Sequence, residues 1–339
     1  MIIKNFNTSN KIFIVAEIGN NHEGDFNLAI EMINQASFAG ADAVKFQTFI
    51  TDDFISNKDK NRFSRLKSFE FSFDEFNKLA NHAEKKGLIF FSTPLDIESA
   101  IFLNKICPIF KVASGDNNFI QLINKIIDFD KPMIISTGLL NSIDLDKLYN
   151  HINTYSKGSY NEDKLAFLHC VSSYPVPYDQ TNLKTLFDFK QKYIGKATIG
   201  YSDHTIGIDA CNIASSIGAQ IIEKHFTIDN DYSDFRDHKL SSNPDEFKSM
   251  VEKIRLTEKL LGSSDKKVQQ CEEDILVVAR RSLAPKQNLT KGHILSREDI
   301  IWIRPGTGIL IGDEDEVIGK KLNKNINKGE IFNYKDFEK

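Results

Sequence analysis

Through the first two thirds of the chain the apolar positions gather into short β-branched or aromatic runs, and between them the period lengthens to that of a helix. Eight runs stand out: Ile12 to Ile18, Ala43 to Phe49, Leu88 to Thr93, Ile109 to Ser114, Met133 to Thr137, Leu165 to Cys170, Thr198 to His204 and Gln220 to Thr227. Two of the intervening helices have legible ends. Ser72 and Glu75 form an S-x-x-E capping box, after which Phe76, Leu79, Ala80 and Ala83 share one face as far as Gly87. Asn243 opens the other, with Pro244 at the first helical position and Glu246 at the third. Its stripe of Phe247, Met250, Val251, Ile254 and Leu261 runs to Gly262. Strands alternating with helices predict parallel βαβ units, and eight of them in about 265 residues fit a (β/α)8 TIM barrel.

The pattern divides the chain into a barrel over residues 1–265, a polar, lysine-rich linker over 266–278 and a small second domain over 279–339. Thr48 to Ser72 is long for a connection between a strand and a helix. It is expected to hang over the barrel mouth, with no residue in it assigned a role.

Composition narrows the class. No run of 18 apolar residues occurs, and Met1 to Asn10 is too polar for a secretory signal, so a cytoplasmic protein outside the membrane is expected. Cys107, Cys170, Cys211 and Cys271 are scattered without a CxxC pair, which argues against a disulfide framework or a thiolate zinc site. A formal net charge of -4 gives no basic face for nucleic acid or anionic lipid. Small molecules are the expected partners.

Polar residues sit at the ends of these strands, where barrel enzymes build their active sites. His204 and His225 end neighbouring strands and can share one divalent ion. With no cysteine beside them, an exchangeable Mn²⁺ is expected rather than a closed zinc site, with Mg²⁺ or Co²⁺ as alternatives. Lys45, Lys111 and Lys224 lie inside apolar runs, a costly placement unless each is paired. Converging on one mouth, with Ser114, Ser136, Thr137 and Gly138 beside them, they describe a pocket for phosphate and carboxylate. A Schiff-base lysine is the rival reading. Glu17, at the end of the first run, is a candidate base. His169 also ends a run and reads as a packing residue.

These residues fall within longer motifs. Ala16-Glu-Ile-Gly-Asn-Asn-His-Glu-Gly24, Val44-Lys-Phe-Gln47, Phe110-Lys-Val-Ala-Ser-Gly-Asp116, Ile135-Ser-Thr-Gly138, Tyr201-Ser-Asp-His-Thr205 and Glu223-Lys-His-Phe-Thr227 closely resemble the N-acetylneuraminate (sialic acid) synthase family. In the tail, Ala279-Arg-Arg-Ser-Leu283, Lys291-Gly292 and Arg304-Pro-Gly-Thr-Gly308 resemble that family's small antifreeze-protein-like (SAF) domain.

The resemblance implies a sialic acid synthase, which condenses phosphoenolpyruvate with N-acetylmannosamine and water to give N-acetylneuraminate and phosphate. By the same resemblance phosphoenolpyruvate contacts fall on Lys45, Thr93, Lys111, Ser114, Ser136 and Ser202. Metal ligands fall on His204 and His225, and sugar contacts on Gln47, Asp116, Tyr174, Asp237 and, from the tail, Arg304. Glu17 matches a family acid at the reacting carbons. A domain-swapped homodimer is implied, its Arg304 reaching the partner's sugar. Some members carry a glutamate where Asp116 stands and an asparagine where Ser172 stands, so legionaminic or pseudaminic acid synthesis from a diacetamido-trideoxyhexose is the alternative. A Schiff-base aldolase acting through Lys111 or Lys224, and a silent sugar-binding protein, are rivals of other classes.

Overall fold

The computed structural model describes residues 1–338 and divides into two compact units, Met1–Gly262 and a second beginning at Ser263. In the first, eight parallel strands follow one another: β1 (Phe13–Gly19), β2 (Ala43–Thr48), β3 (Ile89–Pro94), β4 (Phe110–Val112), β5 (Met133–Ser136), β6 (Leu165–Cys170), β7 (Thr198–Asp203) and β8 (Ile221–His225). Ladders run in the order β3-β2-β1-β8-β7-β6-β5-β4, and β3 packs beside β4 at the remaining junction. The first strand therefore pairs with the last, Phe13 opposite Ile221 and Glu17 opposite His225. This is the TIM barrel that the hydrophobic pattern predicts. Helices cover its outside, so both faces of each strand are buried and the strands read as nearly continuous apolar runs.

The helix ends follow their sequence signals. Phe73–Lys85 starts at Ser72 with the reciprocal Ser72/Glu75 box formed, and Pro244–Leu261 starts at Asn243 with Glu246 closing a second box. Five strands, β2, β4, β5, β7 and β8, end one or two residues short of the predicted runs, whereas β6 ends where predicted and β1 and β3 end one residue beyond. β4 stops at Val112 because Ser114–Asp116 turns into a short 3₁₀ helix, and His204 follows the last residue of β7.

Inside the barrel, β7 comes so close to its neighbours that only a glycine fits at position 200. A Cβ there would meet the Ile221 carbonyl oxygen at 2.5 Å and Leu168 Cδ2 at 2.5 Å.

The second unit has its own core of Leu283, Leu289, Leu295, Ile300, Ile309, Val317, Leu322, Ile326, Phe332 and Phe337. Its strand pair, Ser282–Pro285 with Ile300–Ile303, is antiparallel, and the exposed Arg304 follows the second strand. The interval expected as a linker carries the helix Glu273–Ala279. Among the described residues no helix is long and apolar enough to cross a membrane, and all four cysteines are free.

Gly200→Ala is expected to overpack the barrel and to lower stability by about 1 to 3 kcal/mol. A shifted urea midpoint at constant slope will show it, whereas an unchanged midpoint means that β7 and β8 yield freely.

Candidate active site

Alternation along the strands decides which side chains reach the barrel interior, because residues two apart share a face. Lys45 and Gln47 on β2, Ser202 on β7, and Glu223 and His225 on β8 all turn inward at the carboxyl end. With Glu17, Thr93, Lys111, Ser136 and Cys170 from the other strands they line a cavity of about 480 Å³. Ser114, Tyr174, His204 and Asp237 complete it from the connections.

On the cavity floor four buried charges form one array. Lys45 Nζ lies 2.9 Å from Glu17 Oε2 and 3.6 Å from Glu223 Oε2, while Lys111 Nζ lies 3.3 Å from Glu223 Oε1. Thr93 Oγ1 accepts from Lys45 at 3.2 Å, and Ser202 Oγ donates to Glu223 at 2.8 Å. Burial raises the Glu17 carboxyl to about 7; Lys45 opposes the rise and Glu223 adds to it. For Glu223 burial acts in the same direction, but Lys111, Lys45 and the Ser202 hydroxyl outweigh it and hold the group at about 2. Two carboxylates of one cluster are thereby separated, one poised to exchange a proton near neutrality and one fixed as an anion.

The histidines stand beside this array with ring centroids 5.3 Å apart. His204 Nδ1 donates to the Val171 carbonyl at 2.9 Å, which leaves Nε2 with its lone pair. Burial first, then the neighbouring His204 ring and the ammonium groups of Lys45, Lys224 and Lys111, keep His225 well below the usual imidazole value, and its Nδ1 is buried without a partner. The expectation that no cysteine stands beside the histidines is corrected, because Cys170 Sγ lies 3.8 Å from His204 Nδ1; the two imidazoles remain side by side as a donor pair for a divalent cation. Among the described residues no group of three or more His, Cys, Asp or Glu side chains converges as a closed cage. An ion held here would take its other ligands from substrate and water.

One wall is a stack built on His204: the Tyr174 ring lies 4.2 Å from it, and the Arg236 guanidinium lies 4.6 Å over Tyr174. Arg236 Nε donates to Asp237 at 3.1 Å. The segment is pinned by His238, whose ring nitrogens meet Thr227 Oγ1 at 2.7 Å and Glu23 Oε1 at 2.9 Å. The opposite wall comes from the long connection after β2. Asp96 and Glu70 accept from the backbone of Ile50 and Thr51, both at 2.8 Å, and fix its start. The helix Lys60–Phe69 then turns Arg62, Arg65 and Leu66 to the cavity beside Phe54. Phe235 joins the walls, its ring 5.4 Å from Phe69. Phe49, Leu66, Phe69 and Leu95 form the apolar cluster beneath.

Of the anticipated residues, Glu17, Lys45, Gln47, Thr93, Lys111, Ser114, Ser136, Tyr174, Ser202, His204, His225 and Asp237 share this cavity. Asp116 does not line it; it lies at the end of the 3₁₀ turn after β4, where burial raises its carboxyl value. Arg304 belongs to the second unit. The expected convergence of three lysines is corrected for Lys224, which strand alternation turns outward, away from the mouth. There it is fully buried against Asp203 at 2.8 Å, so it is no Schiff-base nucleophile for this cavity. Thr137 is likewise spent on the Leu168 carbonyl, while Gly138 keeps its place because a Cβ would strike Ser172 Oγ at 2.3 Å. Glu223 was missed, although its place two residues before His225 on one strand was sufficient signal. Arg62 and Arg65 were missed because nothing in their charge pattern says which way their helix faces.

Comparison with known proteins follows the same division. Residues 32–266 match the model of the NeuB family and residues 280–338 that of the SAF domain. The chain is 35% identical over 336 residues to the N,N'-diacetyllegionaminic acid synthase of Campylobacter jejuni, covering 95% of this chain and 99% of that one. It is also 35% identical over 357 residues to the pseudaminic acid synthase of Campylobacter jejuni, covering all of both. A crystal structure of an N-acetylneuraminic acid (sialic acid) synthetase from Leptospira borgpetersenii superposes with a TM-score of 0.74 at 33% identity, over 81% of this chain and 94% of that one.

The raised Glu17 value predicts a neutral carboxyl below about pH 7 that ionises as pH rises through that value. A protonated-carboxyl infrared band should persist to about pH 6 and be absent from Glu17→Gln. Loss of the band by about pH 5 would contradict the assignment.

Proposed function

The chain belongs to the NeuB family and carries a SAF domain, and from that premise we propose that it condenses phosphoenolpyruvate with the open-chain form of an N-acetylated mannose-type sugar and water. The products are phosphate and a nine-carbon α-keto acid. The observation that carries this reading is the buried pairing of Lys45 and Lys111 with Glu17 and Glu223. Such cations can take a carboxylate and a phosphate together, and they are held ready by residues already in place.

In the proposed reaction Ser114, Ser136 and Ser202 orient the phosphate by hydrogen bonds, and Lys45 and Lys111 balance its charge. C3 of phosphoenolpyruvate attacks the aldehyde carbon of the sugar, and electron deficiency develops at C2. Water adds to C2, the C2–O bond to phosphate breaks, and the ketone forms as the C2 hydroxyl gives its remaining proton to the leaving phosphate. Glu17, with a value of about 7, accepts the proton of the water as a carboxylate and returns one to the former aldehyde oxygen as an acid. Glu223 stays ionised and keeps both lysines protonated and aimed. A divalent cation at His204 and His225, Mn²⁺ in this reading, would supply Lewis-acid polarisation of the sugar aldehyde.

The choice of acceptor proposed here rests on the outer cavity and on the relatives. Phe54, Leu66 and Phe235 face the space above the array, interleaved with Arg62, Arg65, Asp234, Arg236 and Asp237. The three apolar side chains suit a methyl and two acetamido methyl groups, and the charged groups between them can bond the amides, which N-acetylmannosamine with its additional free hydroxyls would use less fully. A 2,4-diacetamido-2,4,6-trideoxyhexose is therefore the acceptor proposed here, in line with the names of the Campylobacter jejuni relatives. With that sugar and Mn²⁺ the protein should release phosphate, stop in excess EDTA, and show at least about tenfold lower kcat/KM with N-acetylmannosamine. The reverse preference would restore the sialic acid reading. Turnover in EDTA, with borohydride trapping of a lysine, would replace both with an aldolase.

The second unit supports a homodimer. In its helix Glu273–Ala279, Ile275 and Val278 lie one turn apart and are 59% and 61% exposed, an apolar pair read in this proposal as a seat for a second copy. In this proposal Arg304 completes the sugar site of the other copy. Arg304→Ala should weaken acceptor use by about 10- to 100-fold, the worth of a charge-assisted hydrogen bond, with phosphoenolpyruvate affinity unchanged. Mixed with His204→Ala, it should regain activity at low acceptor concentration, because one site of the hybrid carries neither defect. No regain from stably mixed subunits would rule out the shared site.

A further inference from the structure

Behind the two histidines, on the outer face of the same strands, lies a second ion pair that the proposed reaction does not use. β7 and β8 are in register with Ser202 opposite Glu223 and Asp203 opposite Lys224. Each strand therefore reads inward, outward and inward again as it leaves the barrel. Ser202, Asp203 and His204 run along one strand end, and Glu223, Lys224 and His225 along the other. The inward residues belong to the cavity. The outward pair, Asp203 and Lys224, is fully buried between the strands and the helix Asp209–Ser216.

Its bonds converge on one short segment. Lys224 Nζ donates to Asp203 Oδ2 at 2.8 Å and to the Thr205 carbonyl at 2.5 Å. Asp203 Oδ1 accepts from the Thr205 amide at 2.9 Å and from the Tyr201 hydroxyl at 2.8 Å, and Oδ2 accepts from Thr205 Oγ1 at 3.1 Å. Cys211 Sγ approaches Oδ2 at 3.5 Å from the covering helix. The residues on either side of His204 are thus both tied, and both ties run to the residue directly before His225. A buried ion pair is weak evidence for stability, because apolar replacement of both partners is often neutral or stabilising. What this one does achieve is geometric. It joins the backbone beside one imidazole to the backbone beside the other, while neither ring takes part.

We propose that Asp203 and Lys224 are positioning residues that set the separation and aim of His204 and His225 from the outer face of the barrel. The proposal rests on the reading of those histidines as ligands of a divalent cation. Arrangements behind the ligands of a metal site commonly govern affinity by about 10- to 100-fold. Neither Asp203 nor Lys224 lines the cavity, and their bonds run to Thr205, beyond His204, rather than to Ser202 or Glu223, so cation binding is expected to respond to them more than phosphoenolpyruvate binding.

The test is Mn²⁺ binding to the metal-free protein, followed by calorimetry or the spin-resonance signal of the free ion. Phosphoenolpyruvate binding in EDTA is measured in parallel. Asp203→Asn with Lys224→Gln removes both charges together and keeps hydrogen-bonding groups of similar size. It should weaken Mn²⁺ by about 10- to 100-fold and leave phosphoenolpyruvate affinity within about twofold. Unchanged Mn²⁺ affinity in this variant, with binding lost in His204→Ala and His225→Ala, overturns the positioning role and keeps the metal reading. Unchanged Mn²⁺ affinity in the histidine variants overturns both. If the double variant does not fold, Thr205→Val, which deletes one hydroxyl bond to Asp203, is measured in its place. Weaker Mn²⁺ binding then supports the role, and wild-type binding overturns it.

Discussion

Everything at the mouth of this barrel depends on four charges that the fold has taken out of water. Lys45, Lys111, Glu17 and Glu223 have side chains no more than 5% exposed, and any one of them alone would be costly to bury. Together they are neutral. Each lysine is held between a carboxylate and a hydroxyl, or against a shared carboxylate, so its direction is fixed before a ligand arrives. The same crowding divides the carboxylates, since Glu223 lies between two ammonium groups and Glu17 has one principal partner. A ligand with a carboxylate and a phosphate brings charge into a site whose cations are already desolvated. Glu17 is the group able to take up the difference as a proton.

Around this floor the walls are made by connections, and their stability comes from ordinary packing. Phe235 sits against Phe69, and Arg65 lies 5.9 Å over the Phe235 ring, so the two long connections brace each other across the mouth. Inner and outer cavity are thereby given different chemistry. Fixed charge and hydroxyls lie below, and aromatic and aliphatic side chains interleaved with guanidinium groups and carboxylates lie above. A strand end places a side chain more rigidly than a connection does, so the charged floor is held more firmly than the rim above it.

The barrel was legible because its strands are buried on both faces and its helices on one, so the hydrophobic period changes at nearly every boundary. Positions of inward residues were legible only where a partner fixed the phase. His204 and His225 pointed to each other, but Lys224 was read as one more mouth lysine, since an apolar run does not say which of its two faces looks inward. Counting by twos from His225 settles it: Glu223 faces in and Lys224 faces out. Arg62 and Arg65 could not have been found in this way. Their helix carries charge on most of its surface, and its orientation comes from Leu66 and Phe69 packing against residues distant in sequence.

The claim at the centre of this account is that phosphoenolpyruvate loses its phosphate by cleavage of the C2–O bond, and only when an acceptor sugar has joined C3. The most direct measurement uses phosphoenolpyruvate with a heavy oxygen isotope in the bridge between C2 and phosphorus, and follows both products by mass spectrometry. The account predicts acceptor-dependent release of phosphate that carries the bridging label, with an unlabelled nine-carbon keto acid formed in equal amount. Phosphate released without acceptor, or a label retained in the keto acid, would contradict it.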